Sequence, residues 1–326
     1  MIEVKNLVKD YGSHLAVKDL SFTVEDGQIY GFLGPNGAGK TTTMNIICGY
    51  IGATSGEVLI NGKNVAEEPL EAKKLIGYLP EQPPLYQEMT PREYLSFAAE
   101  IKGLARGEAA AEVERAMEVT GVSDMADRLI RNLSKGYKQR VGLAQAIIGL
   151  PPIIILDEPT VGLDPKQIAE IRELIKALGK KHTVILSSHI LSEVSAVCDK
   201  VMIISRGRLV ACDTPQTLEQ MMQGSGEIDL SVRGGKKAVE AALKKLRNCE
   251  MRFKKSAGEE RAELTLSAGD SRDIREEVFF ALAEAKLPIL AMSPSRASLE
   301  EVFLDLTAGG ASESSIETGL EEEEGE

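Results

Sequence analysis

The stretch GPNGAGKTTT, residues 34–43, decides the fold, because it lies between the apolar run QIYGFL and the helical pattern TTTMNIICGYI. A glycine-rich loop between a strand and a helix turns tightly and aims backbone N–H groups at phosphate oxygens. The Lys40 side chain then reaches the β- and γ-phosphates, and the Thr41 hydroxyl is a ligand for Mg²⁺. The stretch therefore predicts a nucleotide phosphate site; an incidental glycine-rich turn is the weaker interpretation.

A second stretch, PPIIILDEPT at residues 151–160, places Asp157 and Glu158 directly after a short apolar run. Such a run is typical of a buried central strand, and a carboxylate at the tip of a parallel strand lies beside the phosphate loop. We expect Asp157 to hold Mg²⁺, directly or through water, and Glu158 to accept a proton from an attacking water. Taken alone, this pair would indicate only a solvated strand end.

A third stretch, RNLSKGYKQRVGLAQAI at residues 131–147, predicts a helix that begins after Ser134. Ser134 is a favourable N-cap and Gly136 exposes backbone amides, so this is a second anion-binding helix end; a plain capped helix is the alternative. One nucleotide has no obvious use for two such ends on one chain. Two chains placed head to tail would use both, and hydrolysis would then require a dimer.

The remaining pattern predicts an α/β core with a helical insertion at about residues 83–149 and a smaller second domain. Composition shifts at QGSGE, residues 223–227, and the following segment shows the order β-α-β-β-α-β. SLEEVFLDL, residues 298–306, predicts a last amphipathic helix. We expect an ATPase-type domain at 1–222, an α+β domain at 227–308 and an acidic disordered tail at 309–326.

Composition argues against nucleic acid as a partner. The net charge is −12, only 4% of residues are aromatic, and Trp is absent. An acidic chain repels DNA and RNA, and aromatic side chains supply the stacking that single strands need. Seven glutamates and no basic residue follow position 311, so the rest of the chain carries about −5; the tail is solvating, or else an interaction segment. No run approaches the length of a membrane span, so the chain is not expected to cross a membrane by itself.

Over residues 1 to about 215 the chain resembles the nucleotide-binding subunits of ABC transporters. The resemblance is carried by an ordered set of motifs: Tyr11 of the A-loop, residues 34–41 as Walker A, Gln82 of the Q-loop, LSKGYKQR at 133–140 as the signature, IIILDE at 153–158 as Walker B, GLDP at 162–165 as the D-loop and His189 as the switch histidine.

The resemblance implies a P-loop NTPase core of ABC type that uses ATP and Mg²⁺. Tyr11 would stack on adenine, His189 would bond the γ-phosphate, and Asp164 would lie at the dimer seam. Gln82 would touch Mg²⁺ and the lytic water and report nucleotide state to a membrane partner. The implied nucleotide contacts are Tyr11, Gly34, Pro35, Asn36, Gly37, Ala38, Gly39, Lys40, Thr41, Thr42, Ser134, Gly136 and Asp164; the implied catalytic residues are Glu158, His189 and Gln82, and the implied Mg²⁺ ligands are Thr41, Gln82 and Asp157.

Four of these residues have ordinary structural alternatives. Tyr11 would otherwise be an edge-strand aromatic and Gln82 loop filler. His189 would be a structural histidine at a strand end, and Asp164 a helix cap before Pro165.

The signature departs from the usual Leu-Ser-Gly-Gly-Gln, because Lys135 and Tyr137 replace a glycine and the glutamine. This variant resembles single-domain ATPases of antibiotic, lipid or gliding-motility exporters. The implied partners are an integral membrane permease and a second copy or a paralogous ATPase subunit, with the chain cytoplasmic on the inner face of the membrane. The alternatives are a soluble ABC ATPase acting on nucleic acid or ribosomes, and a regulator that holds ATP without hydrolysing it.

Overall fold

The computed structural model describes residues 1–222, 228–246, 248–254, 261–268 and 274–294. Contacts divide these residues into two compact units, the first being Met1–Pro215 and the second beginning at Gln216. The domain boundaries proposed from the sequence stay predictions. The predicted linker at 223–227, the last helix at 298–306 and the acidic tail at 309–326 lie outside the described residues.

The first unit contains ten strands, seven α-helices and two short 3₁₀ helices (Ser123–Met125 and Ile130–Asn132) among its described residues. Its strands are β1 (Ile2–Asp10), β2 (Leu15–Val24), β3 (Ile29–Leu33), β4 (Ser55–Ile60), β5 (Lys63–Asn64), β6 (Ile76–Leu79), β7 (Ile153–Leu156), β8 (Thr183–Ser188), β9 (Lys200–Ser205) and β10 (Arg208–Asp213). Its helices are α1 (Lys40–Ile47), α2 (Pro69–Lys74), α3 (Pro91–Ile101), α4 (Arg106–Thr120), α5 (Lys135–Ile147), α6 (Pro165–Gly179) and α7 (Leu191–Ser195). Helix α8 (Pro215–Met222) begins at the boundary.

A six-stranded sheet forms the centre of the first unit, in the order β10-β9-β3-β8-β7-β6. Strands β9, β3, β8, β7 and β6 run parallel, and β10 pairs antiparallel with β9. Every residue of β3, β7 and β8 is buried, as the apolar runs predict. Parallel strands end at the same edge, so the loops after β3, β6, β7 and β8 meet there.

A second, antiparallel sheet has the order β2-β1-β4-β5 and shares its core with the first. Phe22 and Phe32 link the two layers, with ring centroids 5.7 Å apart. Asn61 and Gly62 turn between β4 and β5 with φ angles of 47° and 79°, which is the geometry of a type I′ hairpin. Asn-Gly is the residue pair that favours this turn.

Helices α3, α4 and α5 form the predicted insertion between β6 and β7. Thr90 and Glu93 form a reciprocal capping box at the start of α3, with Pro91 in its first turn. Gly121 ends α4 in the left-handed conformation, φ 66°. No helix of the described part of the chain is both long and apolar enough to cross a bilayer.

The second unit is a small α+β sandwich. Its elements are β11 (Ile228–Arg233), α9 (Lys236–Leu243), β12 (Cys249–Phe253), β13 (Arg261–Ala268), α10 (Arg275–Glu284) and β14 (Ile289–Pro294). The strands pair antiparallel in the order β12-β13-β11-β14, and both helices contribute to one buried core. The predicted β-α-β-β-α-β order is confirmed for the described residues.

Candidate functional site

The loop of residues 34–39 joins β3 to α1 in a conformation that only glycine permits at two points. Gly39 has φ +101°, and a Cβ atom there would lie 2.5 Å from the Ala16 carbonyl oxygen. A Cβ atom on Gly34 would lie 2.5 Å from the Ile204 carbonyl oxygen. Because both obstacles are backbone atoms, the loop needs glycine at these positions.

We expect Gly39→Ala to deform this loop, and Gly62→Ala is the matched control. Gly62 also has a positive φ, 79°, but a Cβ atom there meets nothing within 4 Å. The control loses about 1–2 kcal/mol of unfolding free energy through left-handed strain alone. Gly39→Ala loses a further ~1–3 kcal/mol of unfolding free energy through overpacking. It also loses ATP binding, because the phosphate loop is deformed. Urea unfolding and nucleotide titration measure both; equal unfolding free energies would contradict the steric argument.

Lys40 opens α1 and bends back over the loop. Its Nζ donates to the Gly34 carbonyl oxygen at 2.7 Å and to that of Pro35 at 3.4 Å. The same nitrogen lies 3.5 Å from the Glu158 Oε1 atom, and both side chains are buried. Carbonyl and carboxylate oxygens around the buried Lys40 nitrogen replace the hydrogen bonds that water would make. Lys40 therefore presents its Nζ atom at the floor of the site.

Thr41 and Asp157 bring two oxygen ligands together. Thr41 Oγ1 lies 3.3 Å from Asp157 Oδ1, which also accepts a hydrogen bond from Ser187 Oγ at 2.5 Å. Hydroxyl and carboxylate oxygens suit Mg²⁺, which is held by one or two carboxylates plus substrate phosphates. No group of three or more His, Cys, Asp or Glu in the described residues forms a metal cage. The pair thus fits an Mg²⁺ ion whose other ligands come from a bound nucleotide and water.

Glu158 adopts a left-handed conformation, φ 46°, which is rare for a residue with a side chain. Its backbone N–H donates to Ser187 Oγ at 2.9 Å, and its Oε2 atom lies 2.9 Å from His189 Nδ1. Strain of this kind, worth about 1–3 kcal/mol, clusters at functional sites. The carboxylate thus lies between Lys40 on one side and His189 on the other.

Lys40, Thr41, Glu158 and His189 line one cleft of about 490 Å³ at the carboxyl edge of the central sheet, whereas the buried Asp157 is not among its lining residues. The lining residues are Tyr11, His14, Ala16, Asn36, Gly37, Gly39, Lys40, Thr41, Thr42, Glu81, Glu158, Val161 and His189. Tyr11 is 53% exposed, and Lys9 Nζ lies 5.1 Å from its ring centroid. One open aromatic face, a glycine loop and a buried lysine thus share a single cavity.

The structure does not bring Gln82 to this cleft. Gln82 is exposed, and the preceding residue, Glu81, lines the cavity instead. Sequence reasoning selected the amide and missed the carboxylate beside it, as it missed His14, Ala16 and Val161. The loop after β6 has no regular period, so nothing in LPEQPPL decides which of two adjacent side chains faces inward.

Ser134, Gly136 and Asp164 also do not line the cleft. Ser134 caps α5 by accepting from the Tyr137 N–H at 3.3 Å, and Asp164 caps α6 by accepting from the Gln167 N–H at 2.9 Å. A Cβ atom on Gly136 would lie 2.4 Å from Gln167 Oε1, so the signature loop packs closely on α6. These three residues lie at the starts of α5 and α6, outside the lining of the cleft.

The two departures from the usual signature make contacts of their own. Tyr137 OH donates to Asp124 Oδ2 at 2.7 Å, and this hydrogen bond raises the pKa of the tyrosine. The Lys135 Nζ atom would lie 2.2 Å from a Cβ atom on Gly162, so the lysine covers the D-loop glycine. The replaced positions thus tie the signature to neighbouring loops of the same chain.

Comparison with known proteins agrees with this geometry. Residues 17–161 match the model of the family described as ABC transporter. The linearmycin resistance ATP-binding protein LnrL of Bacillus subtilis is 32% identical over 308 residues, covering 94% of this chain and 98% of LnrL. The bacitracin transport ATP-binding protein BcrA of Bacillus licheniformis is 43% identical over 212 residues, covering 64% of this chain and 68% of BcrA.

Solved structures show the same fold. An ATP-binding subunit of an ABC transporter superposes with a TM-score of 0.62 at 32% identity, covering 68% of this chain and 93% of that one. The dimeric post-hydrolysis state of the ATP-binding cassette MJ0796, bound to ADP and Pi, superposes with a TM-score of 0.60 at 26% identity. The match covers 66% of this chain and 98% of that one.

Fold and site together define a P-loop nucleotide-binding ATPase with a helical insertion. The chain belongs to the ATP-binding proteins of ABC transporters, and it is an ATP-hydrolysing member of that family.

Proposed function

We propose that the chain is the ATPase subunit of an ABC exporter and works as a head-to-tail dimer closed by ATP. One observation carries the dimer: the cleft contains Lys40, Glu158 and His189, whereas Ser134, Gly136 and Asp164 lie outside its lining. A second copy, or a paralogous subunit, would supply its own Ser134 helix end to the open side. The dimeric, ADP- and Pi-bound relative supports this arrangement.

Each cleft residue has a distinct part in the proposed reaction. The loop amides of residues 34–42 and the Lys40 ammonium hold the β- and γ-phosphates, and the Tyr11 ring stacks on adenine. Thr41 and Asp157 would hold Mg²⁺, which, when bound, neutralises charge on the phosphate oxygens. Glu158 accepts the proton of the attacking water, and His189 contacts the γ-phosphate.

The role proposed for Gln82 is now narrower. Because its side chain is exposed and Glu81 lines the cleft, we assign to Gln82 only the transmission of nucleotide state to the membrane partner. Gln82 directly follows the cleft residue Glu81 and precedes the exposed Tyr86 by four residues, which supports this role.

An aromatic surface beside the helical insertion supports docking to a permease. Its exposed members are Tyr50, Tyr86 and Phe97; the half-buried Tyr78 packs against Tyr50, and the buried Tyr94 packs against Tyr86. Tyr50 is 68%, Tyr86 53% and Phe97 36% exposed. Burial, with Tyr86 and Tyr50 nearby, raises the pKa of Tyr94 to about 12. Exposed aromatic clusters mark protein interaction sites, and the partner proposed here is a cytoplasmic helix of the permease.

We expect the double variant Tyr86→Ala/Phe97→Ala to lose the permease. Truncated aromatic anchors each cost about 2 kcal/mol of binding, so co-purification from detergent falls by ~100-fold or more. The basal ATPase rate of the isolated subunit stays unchanged, because neither residue lines the cleft. The matched control is Phe279→Ala/Phe280→Ala, an exposed aromatic pair in the second unit. Equal co-purification of both double variants would refute this docking surface.

The exporter assignment rests on the relatives, whose names include linearmycin resistance, bacitracin transport and, in Escherichia coli, probable multidrug transport. We propose a cytoplasmic position on the inner face of the membrane, held there by the permease. The relatives are transporter subunits and the net charge is −12, so no observation favours an action on nucleic acid or ribosomes. The transported compound is set by the permease.

A further inference from the structure

Glu193 is a buried carboxylate that the reaction above does not use. It lies on the short helix α7, its residue is 5% exposed, and it does not line the nucleotide cleft. No ion pair in the described ranges includes it. Burying a carboxylate is costly unless hydrogen-bond donors surround it, so its neighbours indicate its purpose.

Two buried hydroxyl groups donate to this carboxylate, one from the turn after β7 and one from the last residue of β8. Thr160 Oγ1 makes a short hydrogen bond to Glu193 Oε2, and Ser188 Oγ lies 3.4 Å from the same oxygen. Ser188 Oγ in turn accepts the Ile190 N–H at 2.9 Å. One carboxylate oxygen on α7 thus joins the segment after β7 to the last residue of β8.

These two segments carry the catalytic pair. Thr160 follows Glu158 by two residues, and Ser188 directly precedes His189. Glu158 Oε2 and His189 Nδ1 lie 2.9 Å apart across the cleft. Because Glu158 has the strained φ of 46°, its position must be held by surrounding contacts.

We propose that Glu193 is a positioning residue: its carboxylate clamps Thr160 to Ser188 and thereby fixes Glu158 and His189 relative to each other. The inference rests on the catalytic roles proposed above for Glu158 and His189. It adds a residue outside the cleft on which the catalytic geometry depends.

Glu193→Ala is expected to lower kcat by about 10- to 100-fold, since a small misplacement of catalytic groups has an effect of this size. ATP affinity and KM stay unchanged, because the phosphate loop and Tyr11 make no contact with Glu193. Glu193→Gln keeps an oxygen that accepts both hydroxyl groups, so it recovers most of the rate. A merely structural role would instead lower ATP affinity and kcat together.

Thr160→Val removes one donor and leaves the carboxylate in place, which keeps the test valid should Glu193→Ala not fold. Thr160→Val is expected to lower kcat with unchanged ATP affinity. Added to Glu193→Ala, it is expected to lower kcat little further, because both changes break the same contact. Glu67→Ala, a glutamate on the exposed turn before α2, is the control and retains the full rate.

Steady-state ATPase kinetics and fluorescent-nucleotide titration of the full chain decide the matter. The clamp is supported if Glu193→Ala and Thr160→Val both lower kcat without a change in ATP affinity, and if Glu193→Gln recovers most of kcat. Normal turnover in Glu193→Ala, or in Thr160→Val when the alanine variant does not fold, overturns it. A parallel loss of affinity overturns it as well. If Glu158→Gln is also fully active, the proposed catalytic roles fail; if Glu158→Gln alone is inactive, only the clamp fails.

Discussion

Glu158→Gln is expected to lower steady-state ATP hydrolysis by about 10²–10⁴-fold, the usual contribution of a positioned general base. The amide keeps the shape of the side chain and its contact with His189, but it does not accept a proton from water. ATP affinity does not fall, because the Lys40 Nζ atom no longer pairs with a carboxylate at 3.5 Å and is available to the phosphates. Phosphate release measures turnover, and nucleotide titration measures affinity.

Glu67→Gln is the matched control, since it makes the same chemical change on an exposed turn. Its turnover is expected to equal that of the unaltered chain. Retention of more than half the hydrolysis rate in Glu158→Gln would remove the carboxylate from the role of base and leave it as a structural partner of Lys40.

Lys40→Ala is expected to abolish ATP binding, with a loss of affinity of about 100-fold or more. A charge-assisted hydrogen bond contributes about 1.5–3 kcal/mol, and Lys40 presents its charge at the floor of the cleft. The same change leaves the buried Glu158 carboxylate without its cation, so the variant is also less stable. Nucleotide titration and thermal unfolding report the two effects separately.

Lys63→Ala separates the cleft effect from the simple loss of an ion pair. Lys63 pairs with Glu68 at 2.9 Å, but both side chains are exposed, 41% and 47%. A surface pair of this kind contributes at most about 1 kcal/mol, and its loss leaves ATP binding intact. Equal ATP affinities of the Lys40 and Lys63 variants would contradict the position assigned to Lys40.

The phosphate loop and the Walker B carboxylates were predictable because their chemistry requires them to be adjacent. A glycine loop after β3 and an acidic pair after β7 must meet where parallel strands end, whatever the rest of the chain does. The capping box of α3 and the turn at Asn61-Gly62 have local causes, since neighbouring hydrogen bonds and φ angles decide them.

Other features depend on tertiary contacts that leave no local pattern. The inward position of Glu81 is set by an irregular loop, and the left-handed φ of Glu158 is imposed by neighbours such as Ser187. The Glu193 clamp joins residues 160, 188 and 193, and the aromatic surface joins residues from 50 to 97. A single sequence does not show that such distant residues meet.

We propose that ATP joins two copies of this chain, with Lys40 on one copy and Ser134 on the other holding the same γ-phosphate. Light scattering coupled to size exclusion tests it most directly, using Glu158→Gln so that bound ATP is not consumed. We expect a monomer without nucleotide, a dimer with MgATP, and a monomer again when Ser134→Arg is added. A Glu158→Gln protein that stays monomeric at saturating MgATP, even with the permease present, would contradict it.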